Sequence, residues 1–233
     1  VRVLHAIRPD ETLVCRGEYL YLQGGEPTGD HETWLVTHLP DGHEIIRSDI
    51  DGRKGTGASL ITHQVRTAAG RPEWLRLRFR TQEVNAAAQY TFEPASVRTA
   101  RLADSFTQRQ GLVEIAAHYV VDYHAVIGHD YVWMGYPEDA EGETRAIPIF
   151  SPNLWAEGDD LLSGRALRFS ITPLDPEPCL VPAGSFDNTS HFSIRLNDGV
   201  EALAWYDKMG IPLKWEYPEK GYTFVLNAYR RGE

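Results

Sequence analysis

The residues with the most chemical potential fall between Gly111 and Met134. Read at the two-residue period of a strand, one face presents His118, Asp122 and His124, and the other presents Tyr119, Tyr123, His129, Tyr131 and Trp133. A His beside an Asp is what general acid–base catalysis needs, because the carboxylate orients the ring and the ring moves a proton near neutral pH. In that scheme His124 is the expected base, Asp122 orients it, and His118 is a second proton-active group. Tyr123, His129 and Tyr131 are the candidates for donating a proton or stabilising developing negative charge, and Tyr119 and Trp133 for the ligand wall. The two faces can serve one cavity only if the strand twists or bulges. Two plainer readings stand beside this one: His and Asp as decoration of a solvated face, and the aromatics as core.

The rest of the inventory narrows the chemistry. A metal needs three or four ligands at defined geometry, and two His with one Asp resemble a facial triad in composition alone, so no metal site is assigned. The chain has no GxGxxG after a strand, no GxxxxGK[ST], no HExxH and no GxSxG, and no cofactor is expected. Arg76, Arg78 and Arg80 alternate along one segment, as a carboxylate or phosphate clamp would require or as arginine stems on a solvated sheet face would also do. Asp30, His31 and Glu32, with His38 and His43, lie near predicted turns and read as solvated. The segment from Asp49 to Gly55 lacks the ligand series and final Glu of a calcium loop and reads as a turn.

Composition sets the wider bounds. The chain has 233 residues, 42% hydrophobic and 24% charged, which suits a globular domain with a sizeable core. A net charge of -10 opposes nucleic acid and anionic membrane surfaces as partners, since repulsion replaces counterion release. No window approaches the roughly 18 apolar residues of a membrane span. A small apolar or aromatic ligand is the expected partner, and self-association is left open. Cys15 and Cys179 belong to no dense cysteine pattern and read as buried thiols, with one long-range disulfide as the alternative. Val1 to Ile7 reads as a strand rather than a secretory leader, which points to the cytoplasm, or to the periplasm if a signal peptide was removed.

These residues must be positioned by strands. Segments 12–22, 31–38, 43–50, 58–67, 73–81, 84–92 and 96–102 alternate and are separated by Gly, Pro or Asp, and so do 166–171, 190–196, 200–206, 211–217 and 222–230. Residues 102–110 are expected to form a short helix or a crossover, and 137–144 a loop. Ser151-Pro152 before Leu154 and Trp155 predicts one short helix near 152–162. A dozen or more strands at such spacing cannot stay flat. The expected fold is all-β: one domain over 1–233 built as a large curled antiparallel sheet or a β-barrel, lipocalin-like or clam-like, with two similar halves, 1–110 and 111–233, as a further option.

Trp205-Tyr206-Asp207-Lys208-Met209-Gly210-Ile211-Pro212-Leu213-Lys214-Trp215, followed by Gly221-Tyr222-Thr223-Phe224, resembles the closing strands of bacterial lipoprotein-carrier-like and glycolipid-binding β proteins. The resemblance covers about the last 40 residues and rests on a generic strand–turn–strand pattern. It implies a curled antiparallel sheet around an apolar ligand. The ionisable load between His118 and Trp133 departs from a simple carrier. Two functions are therefore weighed: a cofactor-independent lyase, isomerase or hydrolase acting on a small apolar or aromatic molecule, and a non-catalytic carrier of lipid or another hydrophobic ligand.

Overall fold

Alternation is the feature that builds the molecule. Leu75, Leu77 and Phe79 are 0–3% exposed while Arg76, Arg78 and Arg80 face water, so a single strand separates core from solvent residue by residue. The computed structural model describes residues 6–104, 106–136 and 142–232. Its strands are β1 (Thr12–Gln23), β2 (Glu26–His38), β3 (Glu44–Asp51), β4 (Ser59–Arg66), β5 (Pro72–Arg80), β6 (Asn85–Glu93), β7 (Ser96–Ala103) and β8 (Phe106–Glu114). There follow β9 (Val120–Val121), β10 (Arg145–Pro152), β11 (Gly164–Leu174), β12 (Cys179–Val181), β13 (Gly184–Phe186), β14 (Ser190–Arg195), β15 (Glu201–Tyr206), β16 (Pro212–Tyr217) and β17 (Tyr222–Arg231). One five-residue helix, α1 (Tyr131–Gly135), joins them.

Fifteen strands form one sheet in the order β8-β7-β6-β5-β4-β3-β2-β1-β17-β16-β15-β14-β11-β10-β9, and β12 and β13 form a separate hairpin. The pairing is antiparallel except between β9 and β10, where Ile149 and Phe150 meet Val120 and Val121 in parallel. The fold is thus the curled antiparallel sheet expected, but open: among the described residues β8 and β9 end the order and the sheet does not close into a barrel. Two meanders meet where β1 pairs with β17, from Cys15 opposite Arg231 to Gln23 opposite Tyr222.

Three expectations need correction. Residues 102–110 are the turn and flanking strands of the β7–β8 hairpin, whose register runs from Ser96 opposite Glu114 to Ala103 opposite Phe106. Residues 152–162 hold only the end of β10 and a 3-10 turn at Gly158–Asp160, because Asn153 and Ser163, and Leu162 and Asn153, pair through their backbones into a tight loop. The stretch from Gly111 to Met134 is not one strand. His118 at φ 61° and His124 at φ 64° are in the left-handed region that interrupts extended chain, and a 3-10 turn at Val126–Asp130 leads into α1. Most of the expected strand at Val1–Ile7 and of the loop at 137–144 lies outside the described residues.

That interrupted stretch fills the hollow of the curl. Tyr123, Ala125, Val126 and Ile127 are at most 1% exposed and pack in one cluster with Leu75, Leu77 and Phe79 from the first meander. Tyr131 and Val132 pack in a second cluster with Ile149, Phe169, Ile194 and Trp215 from the other meander. Gly128 is required there, since a Cβ at this position would stand 2.5 Å from the ring of Tyr123.

Polar anchors hold the segment in place. The carboxylate of Glu32, 0% exposed, accepts the backbone N–H of Val126 at 2.7 Å and of Ile127 at 3.2 Å, and the hydroxyl of Tyr21 at 3.0 Å. Arg66 grips Asp130 through both terminal nitrogens, one of them at 2.8 Å, with Glu44 as a further partner at 3.4 Å. Tyr206 donates its hydroxyl to the carbonyl of His129 at 2.8 Å. Asp30 and Glu32 are therefore buried, not solvated, whereas His31 and His38 are exposed and His43 half-buried. Buried carboxylates persist only where donors converge on them, and these have such donors.

Candidate functional site: a cleft at His124

With the hollow filled, the space left near the central segment lies at its two ends. One is a cleft of about 390 Å³ at the end of the curl where β1 meets β2 and β3 meets β4. Its walls are largely apolar and aromatic: Ile50, Leu60, Phe79, Trp155, Tyr217 and Phe224. Tyr21 packs on Phe224 with ring centroids 4.6 Å apart, and Trp155 stands edge-on to Phe79 at 5.1 Å. Trp155 is brought there by the loop after β10 and is 66% exposed.

Besides Tyr21, Tyr217 and Tyr222, three ionisable residues line this cleft, His124, Asp30 and Lys220. Asp30 is committed to structure, accepting the backbone N–H of Thr56 at 2.9 Å and its hydroxyl at 3.3 Å. Lys220 lies over the ring of Tyr217 at 5.8 Å. His124 is the group with chemistry to spare. Its backbone N–H donates to Asp122 Oδ1 at 3.0 Å, which holds the left-handed turn. Its Nε2 stands 3.0 Å from the carbonyl oxygen of Pro152 and 3.3 Å from Ser151 Oγ. A carbonyl can only accept, so Nε2 carries a proton, and in the neutral form of such a ring the lone pair is on Nδ1. Among the described residues Nδ1 has no protein partner.

Behind the cleft wall stands a second unusual group. Burial pushes the Glu32 carboxyl up from 4.5 to about 7, against the opposing pull of the Val126 and Ile127 N–H groups and the Tyr21 hydroxyl. Tyr21 both lines the cleft and donates to Glu32, so one phenol links the buried carboxyl to the cleft.

The other residues singled out by sequence are dispersed. His118 is exposed. Asp122 does not orient the ring of His124; its nearer imidazole is His129, 3.7 Å away. His129 is sealed against Trp215 at 4.3 Å between ring centroids, and burial lowers its pKa to about 4, so it is neutral at physiological pH. Tyr123 is fully buried with its hydroxyl unpartnered among the described residues, and Tyr131 lies in the second core cluster beside Phe169 and Trp215. Tyr119 donates to the carbonyl of Glu93 at 2.8 Å and so fastens the turn between β6 and β7. Trp133 lines a pocket of about 300 Å³ at the opposite end of the curl, together with Asp130 and Arg66.

Sequence reasoning missed Trp155, Tyr217 and Tyr222, which line the cleft. The one signal for them was the pair of tyrosines flanking the last turn, Pro218 to Gly221. Glu32 carried no signal, because its two backbone donors lie 94 and 95 residues away. Among the described residues no group of three or more His, Cys, Asp or Glu is arranged to hold a metal. Cys15 and Cys179 are buried free thiols.

Fold and cleft together define an open, curled all-β protein whose hollow is filled by its own chain and whose remaining cleft is aromatic. No family model matches the sequence, and no curated protein matches it. Among solved structures it is similar to a DUF1089 family protein from Pseudomonas aeruginosa, with 12% identity over 81% of this chain and 90% of that one and a TM-score of 0.49.

Proposed function

We propose that the protein acts on a small, largely apolar or aromatic molecule bound in the His124 cleft, by proton transfer that needs no cofactor. The observation that carries this reading is His124 itself: a ring fixed in one tautomer by the Pro152 carbonyl, beside a cleft with aromatic walls and the volume of a small-molecule site. His124 Nδ1 is the base. Tyr217, whose phenol burial keeps protonated, and the Lys220 ammonium stand at the same cleft to stabilise the negative charge that proton removal creates. The reaction class is a lyase, isomerase or hydrolase step that begins by removing a proton from the substrate. Tyr123, His129 and Tyr131 have no part in this scheme because they are sealed in the core.

The test has two stages. Binding is measured with N-phenyl-1-naphthylamine, a neutral aromatic fluorophore, in the wild type, in Leu196→Trp, which fills the cleft from its rim, and in His124→Ala. Binding should be lost in L196W and kept in H124A. A panel of small aromatic carbon acids is then followed by NMR for deuterium uptake, which should occur with the wild type and vanish in H124A. An H124A protein that still catalyses exchange would show that the base lies elsewhere. Tight binding with no exchange on any substrate would favour the carrier.

A further inference from the structure

A second and larger concavity than the His124 cleft lies on the opposite side of the sheet. Phe79 of β5 lines the His124 cleft, and its neighbour Arg78 lines a groove of about 840 Å³ on the outer face. In a chain of net charge -10 this groove is lined by Arg8, Arg47, Arg76, Arg78 and Arg101 and, among the described residues, by no Asp or Glu.

The five arginines are not equivalent. Arg47 is neutralised by Glu11 at 2.6 and 2.9 Å, Arg8 stands 3.5 Å from the same carboxylate, and Arg101 is spent on the carbonyls of Asp159 and Leu161. Arg76 is held without being neutralised. Its Nε donates to Gln89 Oε1 at 2.9 Å and its guanidinium lies over the Trp74 ring at 4.9 Å, which leaves the terminal nitrogens for an incoming acceptor. Arg78 has no carboxylate partner among the described residues. Two residues apart on one face, their Cα atoms are about 7 Å apart, so the two forks can close on one acid group.

From these two arginines the floor runs across the sheet. Arg78 is paired with Ala87 and Ala87 with Leu102, while Arg76 is paired with Gln89 and Gln89 with Ala100. Ala87 and Ala100 keep the floor low, and Leu102 is 56% exposed at its far end. Positive charge at one end, a shallow apolar track about 10 Å long over two strand spacings, and an exposed leucine at the other make an amphipathic channel.

We propose that this groove binds a single-chain anionic amphiphile, with a carboxylate, sulfate or phosphate-monoester head between Arg76 and Arg78 and an aliphatic body along Ala87 and Ala100 to Leu102. A polyanion fits less well, because the net charge of the whole chain repels it while the groove holds only one compact cationic end.

The probe is monomeric dodecyl phosphate, titrated by calorimetry against inorganic phosphate and neutral dodecyl maltoside. Dodecyl phosphate should bind and the other two should not, with affinity falling as salt rises. Arg76→Gln and Arg78→Gln should each weaken it by about tenfold or more, the scale of a lost hydrogen bond to a charged group. Ala87→Trp should abolish it by filling the track while leaving both arginines. Equal binding of inorganic phosphate would remove the apolar track from the argument, and equal binding of the maltoside would remove the arginines; either overturns the proposal. So does binding that survives A87W and R76Q but is lost in L196W, since the amphiphile would then occupy the His124 cleft.

Discussion

Glu32 and His129 are both buried and both have displaced pKa values, in opposite directions. Burial raises the Glu32 carboxyl from 4.5 to about 7 and lowers the His129 imidazole from 6.5 to about 4. Between pH 4.5 and 7 the folded protein holds a proton on Glu32 that the unfolded chain has lost, so stability from this group is present at low pH and lost as pH rises. Between pH 4 and 6.5 the unfolded chain holds a proton on His129 that the folded protein lacks, so stability rises with pH. Each displacement corresponds to ~3 kcal/mol. Because the windows overlap, the two contributions nearly cancel between pH 4.5 and 6.5 in the wild type.

Glu32→Gln removes one of them. The amide oxygen can still accept the Val126 N–H, and the group no longer titrates. Unfolding free energies from urea titrations across the acid-to-neutral range should show E32Q gaining ~3 kcal/mol relative to the wild type as pH rises through the window, whatever its offset at low pH. Taking the difference cancels the carboxylates common to both proteins. Wild-type and E32Q curves that run parallel across the whole range would refute the reasoning, because Glu32 would then be ionised in the folded state throughout.

Three other outcomes are expected. Asp130→Ala leaves the Arg66 guanidinium buried without its main partner and should cost ~3–5 kcal/mol in urea unfolding, whereas Arg66→Met with Asp130→Leu should cost much less; equal losses would contradict the argument. Gly128→Ala drives a methyl group into the Tyr123 ring and should cost ~1–3 kcal/mol, so an unchanged unfolding midpoint would show that the ring yields freely. Burial pushes the Cys15 and Cys179 thiols up to about 12 and about 11, so an aromatic disulfide reagent should react with neither in the native protein and with both in guanidinium chloride; prompt native reaction would place a thiol at the surface.

The sheet was legible because its strands have one wet face. Trp74 to Arg80 alternates apolar and charged residues, and Asn197-Asp198-Gly199 marks the turn between β14 and β15, so pattern and turn chemistry agree. The central segment was illegible for the opposite reason. Residues 119–132 are enclosed on nearly every side, so apolar and polar side chains follow their partners and not a period, and a strand reading of His118 to Trp133 has nothing to contradict it. The left-handed turns at His118 and His124 fall on residues that tolerate them without announcing them. Of the residues chosen there, only His124 reaches the aromatic cleft, and its orienting partner is a backbone carbonyl from β10, which no side-chain motif can encode.

The pairing of β1 with β17 has a consequence for how the chain folds. Every other antiparallel neighbour in the first meander is next along the chain, so β1 to β8 can zip up hairpin by hairpin with short loops to close. The seam between the meanders joins Cys15 to Arg231, and no local contact prepares it. On a ribosome the outer edge of β1 stays unpaired until β17 has emerged, and over that interval an exposed strand is available to another chain. Refolding should therefore show a fast phase for the hairpins and a slow, high-contact-order phase for the seam, with aggregation competing only in the slow one.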